Sequence, residues 1–376
     1  MTERIRRFLD EQHPPTPCLV VDLEVIAENY RQLRRYLPIA RVFYAVKANP
    51  APALISALVE LGASFDVASP GEIDLCLDAG APPERISFGN TIKKQRDIAY
   101  AHEHGIRLFA FDSEAELDKI AEAAPGASVF CRVLTSCNGA DWPLSRKFGC
   151  SPTMALDLMR RARALGLDAC GLSFHVGSQQ VNLRQWDAAI GRISKVFKAL
   201  RREDPGVRLL NLGGGFTTPY RGLAPSLEDC AGAVMTAMTR HFGNDLPEMI
   251  VEPGRSLCGS AGVIQAEVVL ISRKAASDQK RWVYLDVGKF GGLAETMGES
   301  IKYPIHTDRD GGEVGPVVLA GPTCDSADIL YEKTQYLMPL DLRIGDKVEI
   351  LSAGAYTSSY ASVGFNGFTP MKTYCI

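Results

Sequence analysis

The chain has no run of about 18 apolar residues, so no transmembrane helix is expected. Its first residues, MTERIRRFLDEQ, are charged and lack an apolar core, so no export signal is expected and the cytoplasm is the expected compartment. No C-x-x-C pair and no zinc-ligand spacing occurs among ten scattered cysteines; they read as buried free thiols in a reducing compartment, and no metal site is expected. Neither the P-loop pattern nor G-x-G-x-x-G is present. The formal net charge of −3 gives no electrostatic reason to expect nucleic acid or a membrane as partner. Low-complexity tracts are absent, and TDRDGGEVG reads as a solvated turn.

What is present is ordinary globular composition, 46% hydrophobic and 23% charged, in 376 residues. That length suits a barrel of roughly 250 residues plus a second unit. From about residue 22 to 260, short apolar segments alternate with amphipathic ones. RVFYAVKA (41–48), SFDVAS (64–69), ISFGN (86–90), RLFAFD (107–112), SVFCRVL (128–134), LSFHVG (172–177), LLNLGG (209–214) and MIVEP (249–253) read as strands. Several of the helical stretches between them start at Ser or Pro and end at Gly. Eight βα alternations predict a closed parallel (β/α)8 barrel over 22–260, with a doubly wound open sheet as the alternative. After residue 260, VIQAEVVLISRK, RWVYLDVG, GPVVLAGPT and DKVEILSAGAY lack intervening helices. They predict an antiparallel β-rich domain over 261–376, to which residues 1–21 contribute a strand through TPCLVVD.

In such a barrel, chemistry sits at the C-terminal strand ends. Those ends carry Lys47, Asp66 and Ser69, Asn90, Asp112, Arg132, His175, the glycines 213–215, and Glu252 with Arg255. Polarity returns at any strand end, which is enough to explain Asn90 and Asp112. It does not so easily explain a lysine, an arginine, a histidine and a glutamate on separate strands. Lys47 sits between apolar neighbours and before Asn49-Pro50, where desolvation would lower its pKa and make a nucleophilic amine. The glycine turn NLGGGF and the turn EPGR suit a phosphate at the late strands, although a tight turn alone also explains three glycines. His175 and Ser178, in SFHVGSQ, suit a ring beside a ligand and a hydroxyl on its phosphate. A lysine, a phosphate cup and a carboxylate together suggest pyridoxal phosphate, with Glu252 on the pyridine nitrogen and carbanion chemistry such as decarboxylation.

FYAVKANP, FDVASPGEI, SFHVGSQ, LNLGGGF, VEPGR, GPTCDSAD and GAYT, in this order over nearly the whole chain, resemble the alanine-racemase-like pyridoxal-phosphate decarboxylases, the group with eukaryotic-type ornithine decarboxylase. GPTCDSAD preceded by DVGKFGGLAETM is most similar to the bacterial ornithine or lysine/ornithine enzymes. The resemblance implies decarboxylation of ornithine, and of lysine, in polyamine biosynthesis. It implies Lys47 as the cofactor's lysine, with Asp66, Glu72 and Arg132 around it, and His175 stacked on the ring. Glu252 then partners the pyridine nitrogen, while Ser178, Gly215, Gly254, Arg255 and Tyr356 contact the phosphate. Cys324 matches the acid that protonates the product carbanion, and Asp325 the carboxylate that binds the distal ammonium. Both enter from the second subunit of a head-to-tail homodimer. Asp328 matches a further acidic position in the substrate region. Phe290 keeps an aromatic ring without a hydroxyl, and Glu299 takes an acidic place; both are expected to bear on side-chain length. Diaminopimelate or carboxynorspermidine decarboxylation is the alternative within the fold. An inactive decarboxylase-like binding protein and a barrel-only cofactor carrier are the alternatives outside it.

Overall fold

The computed structural model describes residues 1–142 and 147–376. Residues 27–217 and 225–257 form one compact unit; residues 1–26, 218–224 and 258–376 form a second.

The first unit is a closed barrel of eight parallel strands. In chain order they are Ala40–Ala45, Ser64–Val67, Ile86–Phe88, Leu108–Phe111, Ser128–Arg132, Asp168–Ser173, Leu209–Asn211 and Glu248–Val251. Pairing of Met249–Val251 with Ala40–Val42 closes the ring. The strands are near-continuous apolar runs because barrel side chains face the interior on one side and the helical ring on the other. Phe43, Ala110, Phe130, Cys170, Leu209 and Ile250, from six strands, pack as one buried plug. The sixth strand starts at Asp168, before the SFHVG segment that announced it, because DACGL carries no alternation to mark its start. Helices after several strands are capped as their sequences require. Ser69, Ser113, Ser151 and Ser226 each accept the N–H three residues on, at about 1 kcal/mol apiece. Gly80 and Gly166, with φ of 89° and 77°, turn the chain just past two of these helices, where a side chain would be strained.

The second unit is an eight-stranded sheet. Its axis is the long strand Gly262–Ser272, flanked by Cys18–Val21 and Lys347–Ile350 over its first half and by Arg281–Leu285 over its second. Val314–Ala320 and Ile329–Pro339 extend it as a hairpin. Cys18–Val21 supplies the N-terminal strand, in register Leu19 to Ile264. Most pairings are antiparallel, but Arg281–Leu285 runs parallel to Val314–Ala320, and Cys18–Val21 parallel to Lys372–Cys375. Ile329–Pro339 was not legible as a strand, because Glu332, Lys333 and Thr334 interrupt its apolar alternation. An N-terminal helix, Glu3–Gln12, was also not foreseen; its Ile5 and Leu9 pack on Cys18, Val20 and Val263. No helix among the described residues is long and apolar enough to cross a membrane.

Candidate active site

Lys47 lies two residues beyond the end of the first strand, in the short 3-10 turn Val46–Ala48. The burial expected of it is not observed. Its neighbours are buried, but its own side chain is 53% exposed, and its Nζ pairs with Asp66 at 3.3 Å. The amine is thus open to solvent, with a carboxylate beside it. Asp66 itself is buried, and its Oδ1 has no hydrogen-bond partner among the described residues. Gly89 leaves that carboxylate its space: a Cβ there would stand 1.9 Å from Oδ1.

Glu252 follows the eighth strand. Asn211, the last residue of the seventh, donates its Nδ2 to Glu252 Oε1 and accepts the Gly213 N–H at 2.9 Å through Oδ1. That pair of bonds fixes which way the amide faces. Burial, then the Asp66 carboxylate, push the Glu252 pKa up to about 7 against the pull of Lys47, Asn211 and Arg132. Burial likewise drives His175 well below the usual histidine range, helped by the Arg132 and Lys47 charges. Its Nδ1 accepts the Gly177 N–H at 2.9 Å, so the neutral ring carries its proton on Nε2. Arg132 ends the fifth strand with its guanidinium 5.0 Å from the Phe148 ring centroid. Glu72 accepts the Ala68 N–H at 2.7 Å, and burial raises its pKa despite that bond.

The glycine turn packs against neighbouring backbone. A Cβ on Gly213 would lie 2.5 Å from the Phe174 carbonyl, and one on Gly215 2.7 Å from Val176. Gly215, at φ 104°, is closed to other residues on both counts. Arg255, buried in the turn after Gly254, donates its Nε to Ser178 Oγ at 3.2 Å. These parts fit pyridoxal phosphate. There is an accessible amine for its carbonyl, a carboxylate for its ring nitrogen, an unused carboxylate oxygen, and a buried guanidinium with a hydroxyl for its phosphate.

In the sheet unit, Cys324 is exposed, unlike every other cysteine; Cys137 and Cys375 are half-buried and the rest buried. Asp325 is exposed and accepts the Ala327 N–H at 2.8 Å. Phe290 packs on Phe365, ring centroids 4.8 Å apart, along a cavity of about 270 Å³. Tyr356 is half-buried in a left-handed conformation, φ 55°.

Two acidic residues expected in the substrate region are tied to backbone donors. Glu299 is committed to backbone: it accepts the N–H groups of Glu332, Lys333 and Thr334 at 2.9, 2.7 and 2.6 Å. Burial alone would raise its pKa; those donors reverse this and lower it to about 2. Asp328 is buried, and both of its oxygens are engaged. Oδ1 accepts the Lys289 N–H, and Oδ2 accepts the N–H and hydroxyl of Thr323. Each carboxylate is thus a local anchor for the backbone around it.

Sequence reading missed Asn211, which had no distinguishing feature beyond its place before the glycines. It also missed Lys93. This buried lysine donates to the carbonyls of Asn90 and Ala110, both at 2.6 Å, and pairs with Glu116 at 3.0 Å. Burial pulls its pKa down to about 8 against Glu116. It ties the ends of the third and fourth strands, yet in the sequence it is one of two adjacent lysines.

Residues 23–259 match the family model described as pyridoxal-dependent decarboxylase, pyridoxal binding domain. The chain is 38% identical over 359 residues to the lysine/ornithine decarboxylase of Selenomonas ruminantium, covering 94% of this chain and 88% of that one. The lysine/ornithine decarboxylase of Vibrio vulnificus, solved with cadaverine, superposes with a TM-score of 0.87 at 32% identity, over 99% of this chain and 97% of that one. The arginine decarboxylase of Paramecium bursaria Chlorella virus superposes with a TM-score of 0.90 at 27% identity, over the full length of both. The chain belongs to the pyridoxal-dependent decarboxylases, and its barrel is their pyridoxal-binding domain.

Proposed function

We propose that the chain decarboxylates a basic diamino acid, L-ornithine to putrescine and L-lysine to cadaverine. The observation that carries this reading is the arrangement at the strand ends, with Lys47 held by Asp66 and Glu252 held by Asn211. Pyridoxal phosphate, when bound, supplies the electron sink that takes up the electron pair left by departing CO2.

Lys47 would hold the cofactor through its amine, the place a substrate amine would take, with Asp66 beside it. Glu252 would hold a proton at the pyridine nitrogen, and Asn211 fixes the carboxyl group in place for it. His175, neutral because it is buried, would face the ring without adding a competing positive charge. Ser178, Gly215, Gly254 and Arg255 would bind the phosphate, and Arg132 would orient the cofactor from the fifth strand. Cys324 would deliver its thiol proton to the carbon that lost the carboxylate, and Asp325 would pair with the distal ammonium. An ion pair of this kind orients the substrate more than it adds affinity. Cys324 and Asp325 enter from the second copy in a head-to-tail homodimer. The relatives' names favour ornithine and lysine, and the retained Lys47, Cys324 and Asp325 speak against an inactive binding protein.

The test is product identification with ornithine, lysine, arginine and diaminopimelate side by side. Putrescine and cadaverine are the expected products; agmatine or lysine as the main product would overturn the substrate assignment. Asp325→Asn should raise KM for the diamino acids about tenfold and leave cofactor loading unchanged. Mixed dimers of Lys47→Ala and Cys324→Ala chains should recover activity that neither variant has alone. No recovery would reject the shared site.

A further inference from the structure

Three loops of the sheet unit form a closed circuit around Cys324. Asp328 joins the first two, taking the Lys289 N–H on one oxygen and Thr323 on the other. Phe290, next to Lys289, packs on Phe365 of the third loop, and its carbonyl accepts the Ser362 N–H at 2.9 Å. The circuit closes at Cys324, whose N–H donates to Asn366 Oδ1 at 2.9 Å. Cys324 is therefore bracketed, by Asp328 through Thr323 on one side and by Asn366 on the other.

Asn366 stands in the left-handed region, φ 51°. Few residues with a side chain tolerate that conformation, and asparagine is among them. Glycine would satisfy the turn equally well but would offer no acceptor. Asparagine here meets two requirements together, the turn and a carbonyl aimed at the Cys324 backbone.

We propose that Asn366 is a positioning residue for Cys324. Its side chain fixes the exposed loop so that the thiol is presented at one place and angle. This rests on the reading that Cys324 is the proton donor. The same circuit ties Phe290 to Cys324, so the ring expected to bear on side-chain length and the thiol move as one body.

Asn366→Gly keeps the backbone conformation and removes only the acceptor, whereas Asn366→Asp keeps an acceptor. The first readout needs no cofactor: the rate at which iodoacetamide alkylates Cys324 in the full chain, followed by peptide mass. Asn366→Gly should change that rate at least about threefold, and should lower kcat about fivefold with KM within about twofold of the parent. Asn366→Asp should restore both. In a Cys324→Ala background, Asn366→Gly should cost nothing further. Parental alkylation and kcat in Asn366→Gly, or an Asn366→Asp chain that behaves like it, would overturn the proposal. Full turnover by Cys324→Ala would sink the proton-donor role instead, and the alkylation comparison would still decide whether Asn366 holds the loop.

Discussion

The barrel's strand ends and the loops of the sheet unit place their polar residues by different means. At the strand ends, Lys47, Asp66, Arg132, His175 and Glu252 arrive because the β geometry of adjacent strands delivers them to one mouth. Their environment then couples them: Glu252 is pushed up to about 7 and His175 well down by burial and by one another's charges. In the sheet unit, Cys324 and Asp325 are exposed, and no regular element carries them. Hydrogen bonds accepted by Asp328, Asn366 and Glu299, reaching across 5 to 42 residues of sequence, hold the loops. A barrel positions by its scaffold, whereas a loop needs individual pins. Removing a barrel group should therefore damage chemistry more than fold, and removing a loop pin should damage local order first.

The largest expected effect is that of Lys47→Ala. Turnover should fall on the order of 10³-fold or more, and absorbance of the covalently held cofactor should vanish with little change in melting temperature. Unchanged absorbance would remove Lys47 from the site.

Next is Glu252→Gln, with a loss on the order of 10²-fold in kcat. It should also stabilise the cofactor-free protein. Folded Glu252 keeps its proton up to about pH 7, whereas the unfolded residue releases it near 4.5. The folded chain thus binds more protons between those values, and its stability falls as pH rises through them. Gln removes that loss, worth about 3 kcal/mol at most, so the variant should melt higher at pH 8 but not at pH 4.5. Equal shifts at both pH values would mean that the carboxylate is not held uncharged.

Asp328→Asn should cost about 2 kcal/mol of stability, since a carboxylate serving three donors loses its charge and half of its accepting capacity. Turnover should fall through the loop, with Cys324 alkylated faster. Normal Cys324 reactivity would blur the contrast between pin and scaffold.

Glu299→Gln should be the mildest, at about 1 kcal/mol. The wild-type contribution is present above pH 4.5 and lost as pH falls toward 2, because the folded pKa is the lower one; the variant should lack that acid-dependent step. The ratio of lysine to ornithine turnover should stay within about twofold. A large change in that ratio would return Glu299 to the substrate.

The sequence was most legible where one rule acts locally. Strand alternation, Ser-Pro caps and Gly turns set out eight strands in order, and the strand-end rule selected the residues now found around Lys47. It was least legible where a residue's partners are distant. Lys93 looks like any surface lysine until Glu116 and two carbonyls are folded onto it. Glu299 and Asp328 look like free carboxylates until backbone donors reach them.

By itself, then, the sequence determined the barrel, the family and the cofactor, because β period, capping chemistry and an ordered set of short motifs are properties of neighbours along the chain. The tertiary structure decided that Lys47 is exposed and paired with Asp66, that Glu252 is held by Asn211, and that Glu299 and Asp328 are tied to backbone donors. Exposure and hydrogen-bond commitment depend on what the fold brings alongside a residue, and those partners lie many residues away.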